Sequence, residues 1–131
     1  MLPRECRFLG LCKANAYGHG AAVIGHTLER LGADMLAVAC VSEAEELRQS
    51  GVKLPILCLG ETPEELIPLL LELDVTQMVE DLETGRRLSA AAQRAGRTLR
   101  VHVKLDTGMS RLGFLWEAGR EEETADEIAR L

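Results

Sequence analysis

One lysine lies where a reactive amine is expected in an α/β protein. Lys13 follows directly on a short apolar run, residues 8–12, and a helical pattern begins near Ala21. In such folds the carboxyl ends of the strands and the loops after them carry the chemistry, because the sheet fixes them while they face open space. Lys13 is therefore a candidate to attack a carbonyl group and form a Schiff base. A solvated surface lysine is the alternative interpretation.

Two glycines and a tyrosine extend this first group. Gly18 and Gly20 precede the predicted helix, and glycines there let backbone N–H groups approach a phosphate at the positive end of the helix. A reactive lysine beside such a turn is what a pyridoxal phosphate enzyme needs, because that cofactor carries an aldehyde and a phosphate on one ring. Tyr17 can donate a hydrogen bond to the phosphate, although a lone tyrosine is more often a half-buried packing residue.

A second group of polar residues lies between Val101 and Arg111. His102, Lys104 and Asp106 alternate with apolar residues, so one face of the predicted strand is polar. If that face points into a barrel, the charge of Lys104 needs a neighbouring carboxylate or chemical neutralisation. Arg111 is suited to bind an anion. An edge strand wetted on one side explains the same alternation equally well.

A repeated strand, turn and helix pattern supplies the elements that position these residues. Helical patterns follow each of five apolar runs, at residues 8–12, 35–41, 56–59, 75–79 and 99–105. Alternating strands and helices imply right-handed crossovers and one parallel sheet. A complete TIM barrel needs roughly 250 residues, so 131 residues predict an α/β fold that is a partial (β/α)8 barrel of five units. A flavodoxin-like sheet of five parallel strands is the structural alternative.

The helix boundaries are marked by capping residues. Three predicted starts are Ser42 with Glu45, Thr62 with Pro63 and Glu65, and Asp81. Predicted ends are marked by Gly32, Gly51 and Gly96. Pro68 falls inside the third helical pattern, and we expect it to kink or restart that helix because proline lacks the backbone donor.

Charge and hydropathy exclude some classes of function. The chain has 15 Lys and Arg against 21 Asp and Glu, and an acidic excess without a basic cluster disfavours a nucleic-acid partner. No segment approaches the roughly 20 apolar residues of a membrane span, and charged residues interrupt the start of the chain, so a cytoplasmic protein is expected. The acidic stretch from Glu117 to Glu127 is interpreted as a solvated helix face.

The cysteines and histidines do not form a metal-binding pattern. Cys6, Cys12, Cys40 and Cys58 are widely spaced, and three of them lie in predicted strands, so they are interpreted as small buried thiols. The three histidines share no metal-ligand spacing, and no metal is assigned. The sequence also has no nucleophile elbow and no dinucleotide or P-loop fingerprint.

Two segments resemble the signatures of one enzyme family. Lys13-Ala-Asn-Ala-Tyr-Gly-His-Gly20 is similar to the cofactor-lysine signature of bacterial alanine racemases, and Lys104-Leu-Asp-Thr-Gly-Met-Ser-Arg111-Leu-Gly113 is similar to their second signature. The segments occur in the expected order, and the spacing of the strands between them is similar to that in the family's N-terminal barrel. The resemblance covers essentially the whole chain. It implies a pyridoxal phosphate enzyme of fold type III that interconverts L- and D-alanine and supplies D-alanine for the peptidoglycan of the cell wall.

The resemblance also implies a role for each matched residue. Lys13 would bind the cofactor's aldehyde and act as the base on one face of the substrate α-carbon, and Tyr17 would contact the phosphate. Arg111 would bond the phenolic oxygen of the cofactor and help to place the substrate carboxylate. Lys104, which is carbamylated in many members of the family, would hold Arg111 in position.

The same resemblance implies that this chain is part of a larger enzyme. Racemisation requires two bases on opposite faces, and in the family the second is a tyrosine from a C-terminal β domain, contributed across a homodimer. Tyr17 is the only tyrosine here, so residues 1–131 are interpreted as a partial N-terminal barrel domain that lacks the β domain and has little activity alone. The alternatives are a broad-specificity, serine or lysine racemase, a cofactor-free Schiff-base aldolase, and a non-catalytic cofactor-binding fragment.

Overall fold

Strands and helices alternate along the chain. A computed structural model describes residue 3 and residues 5–131 of the protein. The strands are β1 (Leu9–Leu11), β2 (Met35–Val38), β3 (Ile56–Cys58), β4 (Thr76–Val79), β5 (Val101–Val103), β6 (Leu105–Asp106) and β7 (Phe114–Leu115). The helices are α1 (Lys13–Tyr17), α2 (Ala21–Arg30), α3 (Val41–Gln49), the 3-10 helix η1 (Glu64–Leu66), α4 (Ile67–Glu72), α5 (Leu82–Arg94) and α6 (Glu121–Ile128).

Five strands form one parallel sheet in the order in which they occur along the chain. The order is β1-β2-β3-β4-β5, and every neighbouring pair is parallel. A flavodoxin-like sheet has a different order, because its connections reverse at a switch point. Sequential order with a helical connection after each strand is the arrangement of a singly wound barrel. The partial TIM barrel is therefore confirmed, and the flavodoxin-like alternative is wrong.

The main hydrophobic core lies between the sheet and its helices. Its fully buried members include Leu36 and Val38 of β2, Ile56 and Cys58 of β3, Val41 and Leu47 of α3, and Ile67 and Leu70 of α4. The opposite face of the sheet carries a smaller cluster of Ala37, Leu57 and Met78. On that face Leu9 and Leu11 of β1 are 38% and 44% exposed. In a complete barrel the face is filled by side chains from all eight strands.

Several predicted helix boundaries are confirmed. Helix α2 begins at Ala21. Asp81 caps α5, since its Oδ1 accepts a hydrogen bond from the Thr84 N–H at 2.7 Å. The helical pattern around Pro68 restarts there, because η1 ends at Leu66 and Pro68 lies in the first turn of α4. The three glycines predicted at helix ends follow α2, α3 and α5 with positive φ: Gly32, Gly51 and Gly96.

The predicted capping box of α3 is wrong. The helix begins at Val41 with Cys40 as the N-cap residue, so Ser42 lies inside the first turn. Glu45 does not bond back to Ser42, and its Oε1 accepts a hydrogen bond from Gln49 Nε2 at 3.2 Å. The glutamate that bonds the amides at this helix start is Glu43.

Thr62 is also not a helix cap. Its side chain is 2% exposed, and its hydroxyl donates to Gln77 Oε1 at 2.7 Å. Gln77 lies fully buried on β4, and its Nε2 donates to the carbonyl oxygens of Gly60 and Met78 at 2.8 Å each. A buried side-chain amide needs hydrogen-bond partners for its oxygen and its nitrogen. The Thr62 hydroxyl is the partner of the Gln77 oxygen, so Thr62 lies in the interior. Pro63 is the N-cap residue of η1 instead, so the expected return of Glu65 to Thr62 does not occur.

Two of the four cysteines are buried and two are exposed. Cys12 and Cys58 are 0% exposed, and burial raises the pKa of both thiols. Cys6 and Cys40 are exposed. Strand β2 ends at Val38, so Cys40 lies outside the sheet at the start of α3. The interpretation as buried thiols is correct for Cys12 and Cys58 and wrong for Cys6 and Cys40.

The helices on the outside of the sheet are exposed on one side. Helix α6 carries the acidic stretch, and among its residues only Thr124 is buried, which confirms a solvated helix face. Across residue 3 and residues 5–131, no helix has both the length and the apolar character needed to cross a membrane.

Candidate functional site

The lysine loop, residues 13–20, begins at the carboxyl end of β1. The strand ends at Leu11, and the Cys12 N–H donates to the Ala37 carbonyl of β2 at 2.8 Å. The backbone is therefore held to the sheet up to the residue before Lys13. Lys13 itself is partly exposed. The prediction of a lysine at a strand's carboxyl end is confirmed.

The residues after Lys13 form a left-handed helical turn. Residues 14–17, which are Ala, Asn, Ala and Tyr, have φ between 50° and 54°. The left-handed helical conformation costs roughly 1–2 kcal/mol per ordinary L-residue, so the three residues other than Asn15 together cost about 3–6 kcal/mol. Strain of this kind persists only where the surrounding structure determines the conformation, and it concentrates at functional sites. Helix α1 is thus a constrained turn that begins at the lysine.

Two side chains bind the left-handed turn to the helices around it. Glu43 Oε1 accepts a hydrogen bond from the Ala14 N–H at 2.7 Å, and Glu43 Oε2 accepts one from the Ala39 N–H at 2.7 Å. Asn15 Oδ1 accepts a hydrogen bond from the N–H of Ala21, the first residue of α2, at 2.7 Å. The turn is therefore fixed to α3 on one side and to α2 on the other.

The amides of the two glycines are used inside the lysine loop. The Gly18 N–H donates to the carbonyls of Ala14 and Asn15 at 3.2 and 3.1 Å, and the Gly20 N–H donates to the Asn15 carbonyl at 3.0 Å. With φ of 86° and 93°, these glycines end the left-handed turn and lead into α2. The carbonyls of the left-handed turn therefore take both glycine amides, and the expectation that backbone N–H groups at this helix start approach a phosphate stays a prediction for the amides that follow. In the first turn of α2 the Ala21 N–H is taken by Asn15 Oδ1. The N–H groups of Ala22 and Val23 are therefore the candidates to bind an anion.

Lys13 and Tyr17 lie side by side. Lys13 Nζ is 5.9 Å from the centroid of the Tyr17 ring, and Tyr17 is 58% exposed. Residues four apart share one face of a helical turn, so the left-handed turn returns residue 17 to the side of residue 13. An amine and a phenol therefore face the same solvent-accessible position.

The arginine loop, residues 107–113, follows β6 and is folded around one carboxylate. Asp106 is 6% exposed, and its Oδ1 accepts hydrogen bonds from the Gly108 and Ser110 N–H groups at 3.0 Å each. Its Oδ2 accepts one from the Arg111 N–H at 3.1 Å. Asp106 thus fixes the backbone of Arg111, while the Arg111 side chain stays exposed.

These hydrogen bonds shift the titration of Asp106. The backbone N–H groups of Gly108 and Ser110, followed by those of Arg111 and Met109, hold the pKa of the Asp106 carboxyl below its ordinary value, and burial opposes them. The folded-state pKa is therefore below the unfolded-state value of about 3.9. The resulting stabilisation is present above the unfolded-state pKa and is lost as the pH falls through the folded-state pKa.

We expect an NMR titration of the Asp106 carboxyl carbon in the folded protein to have its midpoint below the peptide value of about 3.9. The amide signals of residues 108–111 should move with the same midpoint, because protonation removes the acceptor that their N–H groups share. A midpoint at or above the peptide value, or amide signals that titrate independently of Asp106, would contradict the assigned hydrogen bonds.

Gly113 allows a close approach of two chain segments. Strands β6 and β7 are parallel, and only residues 107–113 connect them, whereas parallel strands usually need a dozen or more connecting residues. A Cβ on Gly113 would lie 2.8 Å from the Lys104 carbonyl oxygen and 2.9 Å from the Asp106 nitrogen, and the φ of Gly113 is 120°. The short crossing that positions Arg111 therefore requires glycine at residue 113.

A cavity of about 290 Å³ lies beside the arginine loop. It is lined by Glu80, Asp81, Asp106, Ser110, Arg111, Leu112 and Gly113. Burial raises the pKa of Glu80, and the neighbouring carboxylates of Asp81 and Glu61 add to this effect. The cavity combines one guanidinium with several carboxyl groups at the carboxyl ends of β4 and β6. Another cavity of about 290 Å³, between α5 and β5, contains neither Lys13 nor Arg111.

Lys104 is not buried in the sheet. Strand β5 is the edge strand, and residues 101–105 are all exposed. His102 pairs with Met78 of the inner face, so alternation places Lys104 on that face as well. Among the described residues Lys104 forms no ion pair. The two expectations for Lys104 in a barrel interior, a neighbouring carboxylate or chemical neutralisation, therefore stay predictions, because a five-stranded arc does not enclose that face.

Both loops lie on the side of the sheet formed by the carboxyl ends of the strands, but they follow strands at opposite ends of the strand order. Lys13 follows β1, the first strand of the five-stranded sheet, and Arg111 follows β6, which comes directly after its last strand, β5. In a closed barrel of eight strands, the first and fifth strands face each other across the barrel axis. Within residues 5–131 no hydrogen bond joins the lysine loop to the arginine loop. The sheet therefore brings the two groups to one edge without bringing them into contact.

Comparison with known proteins identifies the family. Residues 1–131 match the family model described as alanine racemase, N-terminal domain. The chain belongs to this family. The alanine racemase of Clostridium novyi (strain NT) is 49% identical over 107 residues, which are 82% of this chain and 28% of the relative. The alanine racemase of Methanococcus maripaludis is 44% identical over 127 residues, which are 97% of this chain and 34% of the relative.

Solved alanine racemases share the fold of the chain. The alanine racemase of Clostridium difficile 630 aligns with a TM-score of 0.90 at 41% identity, over 98% of this chain and 32% of that chain. The alanine racemase from Streptomyces coelicolor A3(2) aligns with a TM-score of 0.82 at 29% identity, over 95% of this chain and 34% of that chain. The chain therefore spans about a third of the length of these relatives.

Three side chains organise the loops of this alanine racemase domain without having been predicted to do so. Asn15 and Asp106 offered a local signal, because both residue types bond nearby backbone and both precede glycines. Glu43 offered none, since its partner Ala14 is 29 residues away in sequence. Among the described residues no group of three or more His, Cys, Asp or Glu converges as a metal site.

Proposed function

We propose that the intact protein containing this chain interconverts L- and D-alanine with pyridoxal 5'-phosphate, and that residues 1–131 form part of its N-terminal barrel domain. The observation that carries the proposal is Lys13 at the carboxyl end of β1, in a chain matched throughout by the alanine racemase N-terminal domain. The product would supply D-alanine for peptidoglycan. We propose that the intact protein is a cytoplasmic homodimer. It binds a small amino acid, alanine, as its substrate, and it binds neither nucleic acid nor a membrane.

The lysine loop fits this cofactor. When bound, pyridoxal phosphate supplies an aldehyde that joins the substrate amine and a ring that takes up the electron pair left by the departing α-proton. Lys13 offers the amine that matches the aldehyde, and the neighbouring Tyr17 hydroxyl can donate to the phosphate. The N-terminus of α2, which directly follows the loop, adds a favourable dipole for an anion.

Lys13 and Arg111 have separate tasks in the proposed reaction. Once the substrate amine has replaced Lys13 on the cofactor aldehyde, the freed neutral Lys13 Nζ would take the proton from the α-carbon on one face, as a general base placed at a strand end. Arg111 would bond the phenolic oxygen of the cofactor and orient the substrate carboxylate, because a guanidinium suits both oxygen acceptors. Asp106 contributes indirectly, since its carboxylate fixes the Arg111 backbone. Carbamylation of Lys104 would turn an exposed cation into an anion able to hold the Arg111 side chain.

The second base is proposed to lie outside residues 1–131. A racemase must hold or deliver a proton on both faces of the α-carbon, and Tyr17, the only tyrosine of the chain, is assigned to the phosphate. We propose a tyrosine of a C-terminal β domain, contributed by the other subunit of a homodimer. The isolated 131-residue chain is then expected to show little or no racemisation.

The test is to purify the intact protein and assay racemisation of L-alanine, L-serine and L-lysine alongside its visible absorption spectrum. We expect alanine to be turned over fastest and a bound cofactor to absorb visible light. A faster reaction with serine or lysine would show that this amino acid, and not alanine, is the substrate. A colourless protein that racemises none of the three would contradict the function, and robust racemisation by residues 1–131 alone would contradict the separate second base.

A further inference from the structure

A carboxylate from a neighbouring β/α unit holds the lysine loop. Glu43 lies in the first turn of α3, and its two oxygens accept hydrogen bonds from Ala14 and Ala39 at 2.7 Å each. Ala14 directly follows Lys13, and Ala39 directly follows β2. One side chain therefore joins the loops after two adjacent strands, at the edge of the sheet where Lys13 lies.

Glu43 is well supported for this task. It is partly buried, and its helix is anchored in the core by Val41, Ala44 and Leu47, which are at most 1% exposed. The positive end of the helix dipole favours a carboxylate in the first turn. The acceptor is thus carried on a rigid element, which is what a residue that positions another group requires.

The hydrogen bond from Ala14 to Glu43 lies at the point where the backbone after Lys13 becomes left-handed. A right-handed continuation is the default for L-residues, yet residues 14–17 are left-handed. A hydrogen bond from a backbone N–H to a carboxylate is among the stronger kinds in proteins. Fixing the Ala14 N–H therefore favours the left-handed path and, with it, the placement of Tyr17 beside Lys13.

We infer that Glu43 is a positioning residue for Lys13: it holds residues 14–17 in the left-handed turn and so places the lysine amine for its reaction with the cofactor aldehyde. The inference rests on the proposed function, because it takes Lys13 as the cofactor-binding amine. Glu43 acts through the backbone of Ala14 and does not itself contact the cofactor.

The first test is residue-resolved hydrogen exchange in the cofactor-free intact protein and its Glu43→Ala, Glu43→Gln and Glu46→Ala variants. Glu46 is the matched control, because it is an exposed glutamate on the same helix. Hydrogen bonds to charged groups imply roughly 10- to 100-fold faster exchange at Ala14 and Ala39 in Glu43→Ala. Glu43→Gln retains one acceptor oxygen, so one of these amides should keep its protection, and Glu46→Ala should match the wild type.

The second test measures how fast pyridoxal phosphate is incorporated at Lys13 in the same proteins. Samples are reduced with borohydride at timed intervals, and the pyridoxyl-modified peptide is quantified by mass spectrometry. We expect Glu43→Ala to slow incorporation by about tenfold or more, in line with the loss of a charged hydrogen bond. Glu43→Gln should be intermediate, and Glu46→Ala should react at the wild-type rate.

The outcomes separate this inference from the proposed function. Unchanged Ala14 exchange and unchanged incorporation in both Glu43 variants would overturn the inference, as would faster exchange spread evenly over the whole sheet. If Glu43→Ala does not fold, Glu43→Gln decides by the same two measurements. If the wild type itself yields no adduct at Lys13, the proposed function fails and the positioning role fails with it, whereas a labelled wild type with unaffected variants removes the positioning role alone.

Discussion

Replacing Lys13 with alanine in the intact protein is expected to abolish covalent cofactor binding and to lower alanine racemisation by about a thousandfold or more. Proton transfer by a placed base alone typically contributes roughly 10²–10⁴-fold, and the variant also loses the amine that binds the aldehyde. The measurements are the turnover number in both directions and the visible absorption spectrum. Lys13→Arg should be similarly inactive, because it retains the positive charge without a reactive amine.

Lys53→Ala is the matched control for this prediction. Lys53 is exposed, and its backbone N–H donates to Glu29 Oε1 at 2.8 Å. Truncating that side chain leaves the backbone bond in place, so activity and absorption should stay at the wild-type level. Lys13→Ala protein that keeps the visible absorption or a substantial part of the activity would contradict the role of Lys13.

Replacing Gly113 with alanine is expected to destabilise the protein by about 2–6 kcal/mol, from overpacking of roughly 1–3 kcal/mol added to backbone strain of roughly 1–3 kcal/mol. The new Cβ would meet Lys104 Cγ and the Lys104 carbonyl oxygen at 2.8 Å each and the Asp106 nitrogen at 2.9 Å, and the two backbone atoms among these cannot move aside as a flexible side chain can. Relief requires β6 and β7 to separate, which displaces the loop that carries Arg111. Urea unfolding and the Michaelis constant for alanine measure the two consequences.

Gly108→Ala separates the effect of strain from the effect of the clash. Gly108 lies in the same loop with φ of 127°, close to the 120° of Gly113, but a Cβ added there would have no atom within 4 Å beyond its own chain neighbours. This variant should therefore carry only the backbone strain of about 1–3 kcal/mol. Equal unfolding free energies for the two variants would show that the close approach at Gly113 contributes nothing.

The fold could be predicted from the sequence because each strand of the sheet is a short apolar run followed by a helical pattern. The predicted run 75–79 corresponds to β4 at Thr76–Val79, and the run 56–59 corresponds to β3 at Ile56–Cys58. The prediction for β2 was too long, because the apolar run continues past Val38 although Cys40 is the N-cap residue of α3 and Val41 is its first residue. Local hydrophobicity therefore finds strands well and finds their ends less well.

The conformation of the site could not be predicted in the same way. Lys13 and Arg111 were found because strand ends are visible in the pattern, but the two alanines and the tyrosine after Lys13 have no local preference for a left-handed helix, and only Asn15 adopts that conformation readily. Alanine in particular favours the right-handed form, so the turn depends on tertiary contacts, chiefly the bond from Ala14 to Glu43 across 29 residues. Lys104 is exposed on β5, the last strand of the five-stranded arc, and the alternation of residues 101–105 does not distinguish an open sheet edge from a barrel interior.

The most direct test of the central claim is chemical. The intact protein is reduced with borohydride, digested, and searched by mass spectrometry for a lysine that carries a pyridoxyl group. We expect this modification on the peptide that contains Lys13 and on no other lysine peptide. A protein that binds the cofactor but carries the modification elsewhere, for example at Lys104, or that carries none, would contradict the claim.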